Sequence, residues 1–259
     1  MAEFVNIDVA DGIATIRIDR PPVNALDHQT RRELVAAAQA ASSDPAVRAV
    51  IVYGGEKVFA AGDDVAELAT LTPEQVRAMV SDIQNALGAI AAIPQPTVAA
   101  ITGYALGGGL EIALGADRRI AGDNVKLGMP EVLLGLVPVG GGTQRIARLI
   151  GPSRAKDLIF TGRFVAAEEA RHIGLVDEVV APDEVYNSAR RWAAQFVSGP
   201  ARALTAVKSV IDGGLETDLG AGLALEREAF ADVFDSEDRA TGLRSFLDNG
   251  PGQATFAGR

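Results

Sequence analysis

The sequence predicts an α/β core followed by an α-helical C-terminal part, and three observations support this fold class. Short β-rich runs alternate with helical segments as far as residue 180. From residue 182 onward only helical patterns remain. A chain of 259 residues, of which 48% are hydrophobic and 22% charged, can bury a full core within one domain.

The first half of the chain begins with a predicted β-hairpin. Two alternating runs, over 4–10 and 13–18, are joined by Asp11-Gly12, a dipeptide that favours tight hairpin turns. Pro73 suits the first turn of a helix. Apolar spacing predicts the other elements, namely a helix over 27–41, a buried strand over 47–53 and a helix over 73–92.

Alternation continues in the second half. The predicted elements are strands over 97–102, 118–121 and 174–180, a helix from the glycines at 107–109 to about residue 116, and a helix over 151–160. Gly140-Gly141-Gly142-Thr143 is interpreted as a tight turn that opens a helix from Gln144. Ser236 is a predicted helix N-cap, since Glu237 and Asp238 then fall in the first turn.

The segment 97–114, TVAAITGYALGGGLEIAL, is almost wholly apolar or glycine, yet it contains Glu111. Burial disfavours a charged carboxylate and raises its pKa, which suits a group that exchanges protons near neutral pH. Glu111 and the glycines also interrupt the apolar run, so a buried strand followed by a buried helix is favoured over a membrane span. An ordinary first-turn acid remains the alternative for Glu111.

The glycines at 107–109 lie between a predicted strand and a predicted helix. A dinucleotide fingerprint counted from Gly107 would need a glycine where Ile112 stands, and no P-loop lysine follows. Two interpretations stay open: an oxyanion site at a helix N-terminus, or close packing of helix on sheet. A second acid, Glu131, lies in GMPEVLLG, and its role depends on whether it approaches Glu111 in space.

Composition excludes several classes of function. A net charge of −10 argues against general nucleic-acid binding, and the absence of cysteine excludes thiolate chemistry and fits a reducing cytoplasm. His28 and His172 are isolated, so neither a metal centre nor a histidine triad is expected. The N-terminus lacks the pattern of a targeting segment, and we expect a cytoplasmic protein.

Six segments in order resemble the enoyl-CoA hydratase/isomerase family, also called the crotonase family, over nearly the whole chain. The most informative are IRIDRPPVNAL, KVFAAGDD and ITGYALGGGLEIALGADRRIA. The full set of segments is 16–26, 57–64, 101–121, 127–151, 160–180 and 236–247. No single glycine motif among them is specific, whereas the six in this order are.

The resemblance implies a fold and an assembly. The core, residues 1–195, would be a spiral of ββα units, and residues 196–259 would form a helical trimerisation region. The chain would form a homotrimer or a dimer of trimers. Its ligand would be an acyl-CoA thioester, so that CoA belongs to the substrate and no separate cofactor, metal, nucleic acid or membrane partner is expected.

The resemblance also implies residue roles. The N–H groups of Asp63 and Gly108 would form the oxyanion hole, with Glu111 activating water and Glu131 protonating the α-carbon. The expected reaction is syn addition of water to a 2-trans-enoyl-CoA, giving 3-hydroxyacyl-CoA in fatty-acid β-oxidation or related metabolism. A Δ3-Δ2 isomerase and a non-catalytic acyl-CoA binder are the alternatives. The implied substrate contacts are Val23, Ala25, Lys57, Ala61, Gly62, Asp64, Val65, Tyr104, Gly107 and Val139.

Three features depart from the family pattern. Asp63 stands where a small or neutral residue is usual, and its charge would oppose an enolate if it pointed inward. Pro22 replaces a residue that is often polar near the CoA adenine. The C-terminus lacks the usual basic cluster, which leaves Lys57 and Arg259 as candidate phosphate contacts.

Overall fold

The computed structural model describes residues 2–259 and contains two β-sheets with helices packed around them. The strands, in chain order, are β1 (Val5–Ala10), β2 (Ile13–Ile18), β3 (Ala49–Tyr53), β4 (Thr97–Ile101), β5 (Tyr104–Leu106), β6 (Arg118–Gly122), β7 (Lys126–Gly128), β8 (Val165–Ala166) and β9 (Glu178–Val180). The larger sheet has the order β1-β2-β3-β4-β6-β9, and the smaller one β5-β7-β8. Only β1 with β2 and β7 with β8 pair antiparallel; the other neighbours are parallel.

The helices are α1 (His28–Ser43), α2 (Val65–Leu68), α3 (Pro73–Leu87), α4 (Gly108–Leu114), α5 (Gly142–Ile150), α6 (Pro152–Thr161), α7 (Ala167–His172), α8 (Val185–Ala194), α9 (Ala201–Leu215), α10 (Leu219–Phe234) and α11 (Glu237–Asn249). Short 3-10 turns cover Pro130–Leu134 and Pro182–Glu184. Side-chain caps begin several helices: Asp27 accepts from the Thr30 N–H at α1, and Ser236 accepts from the Arg239 N–H at α11. The prediction for Ser236 is therefore confirmed.

From β4 to β7 successive strands alternate between the two sheets, as the turns of the spiral implied by the family resemblance require. β4 lies in the larger sheet and β5 in the smaller one, and β6 and β7 repeat this arrangement. A single bridge between Ala60 and Ala105 attaches the segment after β3 to the smaller sheet. Strands β3 and β4 are buried along their full length, as continuous apolar runs in a parallel sheet predict.

The hairpin prediction is confirmed: β1 and β2 pair through a turn in which Asp11 and Gly12 both have positive φ, at 53° and 76°. The prediction for residues 73–92 is wrong at its end, because α3 stops at Leu87. Gly88 caps the helix, and tight turns then bury Ile90 and Ile93 in the core.

The strand predicted over 174–180 is also too long. Gly174 turns the chain with φ 80°, and the N–H groups of Leu175 and Val176 donate to Ala170 O at the end of α7. Only Glu178–Val180 joins the sheet. The strands of the smaller sheet were not predicted from the sequence, because two or three residues are too few to show periodicity.

The C-terminal part is helical, as predicted. α8 packs against the larger sheet, where Val185, Ala189 and Ala193 join a second cluster of buried apolar side chains. Asp238, almost fully buried at the start of α11, accepts from the N–H groups of Ala257 and Gly258 and so holds the last residues against the fold. Among residues 2–259 there is no helix with the length and apolarity needed to span a membrane.

Candidate active site

Glu111 lies in the first turn of α4 with only 1% of its surface exposed. Its Oε1 atom accepts two backbone hydrogen bonds, from Gly140 N at 2.8 Å and Gly142 N at 2.7 Å. Its Oε2 atom is buried and has no hydrogen-bond partner within residues 2–259. Buried polar atoms are nearly always paired, so one oxygen is fixed while the other is available to a ligand.

Burial raises the pKa of Glu111 from 4.5 to about 7. The N–H groups of Gly142 and Gly140 oppose this rise, whereas the carboxylates of Glu131 and Asp63 add to it. The upward titration expected from the apolar sequence is therefore confirmed. A carboxyl with such a pKa can exchange protons near neutral pH.

Glu131 shares the site with Glu111, which local sequence could not establish. Its turn, Pro130–Leu134, brings the carboxyl beside Gly107, where an added Cβ would lie 3.0 Å from Glu131 Oε1. Glu131 Oε2 is also buried without a partner in the described chain. Burial raises the pKa of Glu131, its own N–H lowers it, and Asp63 raises it further. Two carboxyls, each with a buried Oε2 atom that has no hydrogen-bond partner in the described chain, therefore lie at the start of α4.

Two backbone donors lie close to these acids. The Asp63 and Gly108 N–H groups donate no hydrogen bond within residues 2–259. Gly62, with φ 99°, packs so closely against the end of β5 that a Cβ on it would lie 2.9 Å from Leu106 O. A Cβ on Gly108 would lie 3.1 Å from Asp63 Oδ2. Two free donors at neighbouring positions can bind an oxygen that gains negative charge.

Close packing also explains the third glycine of the 107–109 cluster. A Cβ on Gly109 would lie 2.2 Å from Ala60 O, so this residue lets α4 approach the segment after β3. The packing interpretation is therefore confirmed at Gly109, whereas Gly108 presents a free N–H and its oxyanion role stays a prediction.

Buried Asn24 positions the donor segment. Its Nδ2 group donates to the carbonyls of Gly54, Val58 and Phe59. Backbone hydrogen bonds from Ala61 N to Val23 O and from Leu26 N to Gly62 O complete the connection. Four predicted substrate contacts are thereby brought together beside the donors, namely Val23, Ala25, Ala61 and Gly62.

The remaining predicted contacts differ in their availability. Lys57, Val65 and Tyr104 are exposed, and Val139 adjoins Gly140. The Asp64 carboxylate, by contrast, is engaged within the fold: it caps α2 and pairs with Arg20 at 2.9 Å. Arg259, a candidate phosphate contact, pairs with Glu237 at the surface. Residues 2–259 contain no group of three or more metal-ligating side chains arranged to hold an ion.

Sequence reasoning missed three residues of the site. Gly140 and Gly142 were interpreted only as a turn, yet their N–H groups hold Glu111. Arg31 was not singled out, although it pairs with Asp63 at 2.9 Å. Its signal was a charged residue on the buried face of α1, together with Leu34 and Ala38.

Comparisons with known proteins agree with this geometry. The family described as enoyl-CoA hydratase/isomerase matches residues 8–257. The probable enoyl-CoA hydratase EchA17 of Mycobacterium tuberculosis is 50% identical over 237 residues, covering 90% of this chain and 91% of that protein. YngF of Bacillus subtilis, an enoyl-CoA hydratase/isomerase by its description, is 44% identical over 236 residues, with 90% and 91% covered. The crystal structure of an enoyl-CoA hydratase from Bacillus anthracis has a TM-score of 0.93 at 37% identity, with 99% and 100% covered.

Proposed function

This chain belongs to the enoyl-CoA hydratase/isomerase family, and on that premise we propose that it hydrates a 2-trans-enoyl-CoA to a 3-hydroxyacyl-CoA. The observation that carries the proposal is the pair of buried carboxylate oxygens, Glu111 Oε2 and Glu131 Oε2, which have no partner in the described chain. They lie beside two backbone N–H groups that are also free. This set of groups matches the needs of water addition across a polarised double bond.

The Asp63 and Gly108 N–H groups are proposed to bind the thioester oxygen. Conjugation carries electron density from the double bond onto this oxygen when the β-carbon is attacked, and the resulting enolate is a stronger acceptor than the ground-state carbonyl. Fixed donors therefore stabilise the transition state more than the substrate. Losing one such donor typically costs a hundred- to thousandfold, about 3 kcal/mol.

The two carboxyls are proposed to divide the proton transfers. Glu111 Oε1 is held by Gly140 and Gly142, which directs Oε2 toward the water. As the water oxygen bonds to the β-carbon, Glu111 Oε2 takes its proton, and the electron pair of the double bond moves into the enolate. Glu131 starts in its protonated form, which its raised pKa favours, and then gives its proton to the α-carbon, so that hydrogen and hydroxyl are added from the same face. Transfer of the water proton from Glu111 back to Glu131 restores both groups. A pKa of about 7 suits Glu111 for reversible proton transfer.

The substrate is proposed to supply CoA itself, so that the reaction needs no other cofactor. Gly107 lies beside Glu131, and Val139 precedes Gly140, which holds Glu111. These two residues and the exposed Tyr104 are proposed to contact the acyl or thioester part. The exposed Lys57 is the proposed phosphate contact. Candidates for the rest of the CoA contact are Val23, Ala25, Ala61, Gly62, Asp64 and Val65. Fatty-acid β-oxidation or related acyl-CoA metabolism in the cytoplasm is the proposed setting.

Residues 196–259 are proposed to be the assembly region of a homotrimer or a dimer of trimers, and residues 1–195 the catalytic core. Large apolar side chains are exposed along the last three helices, including Leu215, Leu219, Phe230, Phe246 and Leu247. Monomers rarely leave so many large apolar groups exposed together, and contact between copies would cover them.

Crotonyl-CoA hydration, followed by ultraviolet loss of the conjugated double bond, tests the proposal. Glu111→Gln and Glu131→Gln are each expected to lower kcat by about a hundred- to ten-thousandfold, because each removes a proton-transfer group. Glu168→Gln is the matched control, since this exposed carboxylate has no hydrogen-bond partner among the described residues. Near-normal turnover by either active-site variant would refute the two-carboxylate assignment.

A parallel assay with a 3-enoyl thioester separates the alternatives. An isomerase would convert the 3-enoyl substrate and leave the 2-enoyl substrate unhydrated, since one carboxyl can shuttle a proton along the chain. Acyl-CoA binding without turnover of either thioester would instead indicate a non-catalytic binder.

A further inference from the structure

A buried arginine lies behind the proposed oxyanion site. Only 4% of the Arg31 side chain is exposed, and its guanidinium is held by three acceptors. Nη1 donates to Asp63 Oδ1 at 2.9 Å and to Leu26 O at 2.8 Å, while Nη2 donates to Glu67 Oε2 at 2.8 Å. A guanidinium bound on both of its terminal nitrogens has little freedom to move.

The Asp63 carboxylate lies where its charge affects the two donors. Asp63 Oδ2 is 3.1 Å from the Cβ position of Gly108, whose N–H is the second proposed donor. Four charged groups face Asp63: Arg31 from α1, Glu67 from α2, Glu111 from α4 and Glu131 from the turn after β7. Arg31 is the positive member of this group, and the other three are acids. Without it, an enolate would form beside an uncompensated carboxylate.

We propose that Arg31 is a positioning residue for the oxyanion hole, which holds the Asp63 carboxylate by its Oδ1 atom and neutralises its charge beside the developing enolate. This inference rests on the proposed hydratase function. It explains how an acid can occupy a donor position at which a negative side chain would otherwise oppose catalysis.

The titration of Asp63 agrees with this role. Burial raises the pKa of Asp63, Arg31 lowers it through charge and hydrogen bonding, and Glu67 raises it. Loss of Arg31 would remove the opposing influence, so the pKa of Asp63 would rise further. At alkaline pH the carboxylate would still ionise, and its charge would then be unpaired.

A purely structural role for Arg31 predicts a different pattern of variants. In that case Arg31 would only hold α1 against Leu26 and Glu67. Its removal would then lower kcat by the same factor whether or not residue 63 is charged. In the proposed role, removal is harmful mainly while Asp63 carries its charge. A double-mutant cycle between residues 31 and 63 separates the two cases.

The test measures crotonyl-CoA hydration by the full chain. Arg31→Met, which keeps the apolar stem, is expected to lower kcat about ten- to hundredfold with little change in KM, because the enolate charge develops only in the transition state. In an Asp63→Asn background the same substitution should cost less than about threefold. Arg31→Lys, which keeps the charge, should recover part of the loss.

Two controls accompany the cycle. Glu67→Gln removes the other acidic partner of Arg31 and should change kcat by less than about twofold. The ratio of Arg31→Met to wild-type kcat should rise as the pH falls, since protonation of Asp63 removes its charge. If Arg31→Met does not fold, two other variants still provide the comparison: Arg31→Lys, which keeps the positive charge, and the double variant with Asp63→Asn, which has no charge at residue 63.

An equal loss in both backgrounds, or a kcat ratio that does not vary with pH, would overturn the inference. Failure of the proposed function is distinguishable from this result. In that case the wild-type chain itself would not hydrate crotonyl-CoA, whereas failure of the inference requires an active wild type without coupling between Arg31 and Asp63.

Discussion

Replacing Glu111 with glutamine should stabilise the folded protein above neutral pH, although it removes the proposed base. In the folded state the pKa of Glu111 is about 7, whereas the ordinary pKa of a glutamate is 4.5. The folded chain therefore binds more protons than the unfolded chain between these values. By linkage, the contribution of Glu111 to stability is greatest below pH 4.5 and falls as the pH rises to about 7.

The rise in the pKa of Glu111 from 4.5 to about 7 gives the size of the effect on stability. At 1.36 kcal/mol per pH unit, ionising Glu111 in the fold costs about 3 kcal/mol above pH 7. Glutamine carries no charge and can accept from Gly140 and Gly142 through its own Oε1 atom. We therefore expect Glu111→Gln to raise the free energy of unfolding by about 2 to 3 kcal/mol more at pH 8 than at pH 5.

Urea denaturation of both proteins at the two pH values measures this difference, because the other titrating groups are common to both and largely cancel. Glu33→Gln is a control of opposite sign. Burial disfavours its ionisation, but hydrogen bonds from Gln29 and from the N–H groups of Glu3, Phe4 and Val5 prevail and lower the pKa of Glu33 to about 2. Its stabilising contribution is present above pH 4.5 and declines in acid, so Glu33→Gln should destabilise the fold at pH 8.

If the difference in free energy of unfolding between Glu111→Gln and the wild type were the same at pH 5 and pH 8, the reasoning would be refuted. Glu111 would then have the same pKa in the folded and unfolded chains. A loss of stability at pH 8 would refute it more strongly. If Glu111→Gln is more stable than the wild type at pH 8 but has lost turnover, the carboxylate serves activity and lowers the stability of the fold.

Two further predictions concern the wild-type protein. First, kcat/KM for crotonyl-CoA should rise with pH through about 7, because Glu111 must be ionised to accept the water proton, and a rate that is flat from pH 5 to 9 would contradict this. Second, sedimentation velocity at about micromolar concentration should give a mass that is three or six times that of the protomer. Leu247→Asp should weaken this assembly, because it places a charge at an exposed apolar position. A monomeric wild-type protein would contradict the predicted assembly.

The sequence was most informative where the cause is local. Asp11-Gly12 has the backbone requirement of a hairpin turn, and the continuous apolar runs of β3 and β4 require burial on both faces. Glu111 follows the same logic, because a lone acid in an apolar segment is expected to be buried, and burial is the largest cause of its raised pKa. These predictions needed only nearest neighbours in the chain.

Features that depend on contacts between residues distant in the sequence could not be predicted. The two hydrogen bonds that fix Glu111 come from Gly140 and Gly142, about thirty residues further along the chain. Nothing in a glycine cluster distinguishes an N–H that caps its own turn from one that holds a distant carboxylate. The end of α3 shows the same limit, since a helix was predicted as far as residue 92, but the chain after Leu87 forms turns that bury Ile90 and Ile93.

The electrostatic effect of Asp63 depends on a partner that is distant in the sequence. From the sequence, an acid at a donor position raised the question whether its charge would oppose the enolate. In the fold its carboxylate does lie beside Gly108, but Arg31 holds its other oxygen. The charge of Asp63 also contributes to the raised pKa of Glu111. In the role proposed for Arg31, the Asp63 charge is compensated beside the enolate, and the same charge is one that raises the pKa of the proposed base.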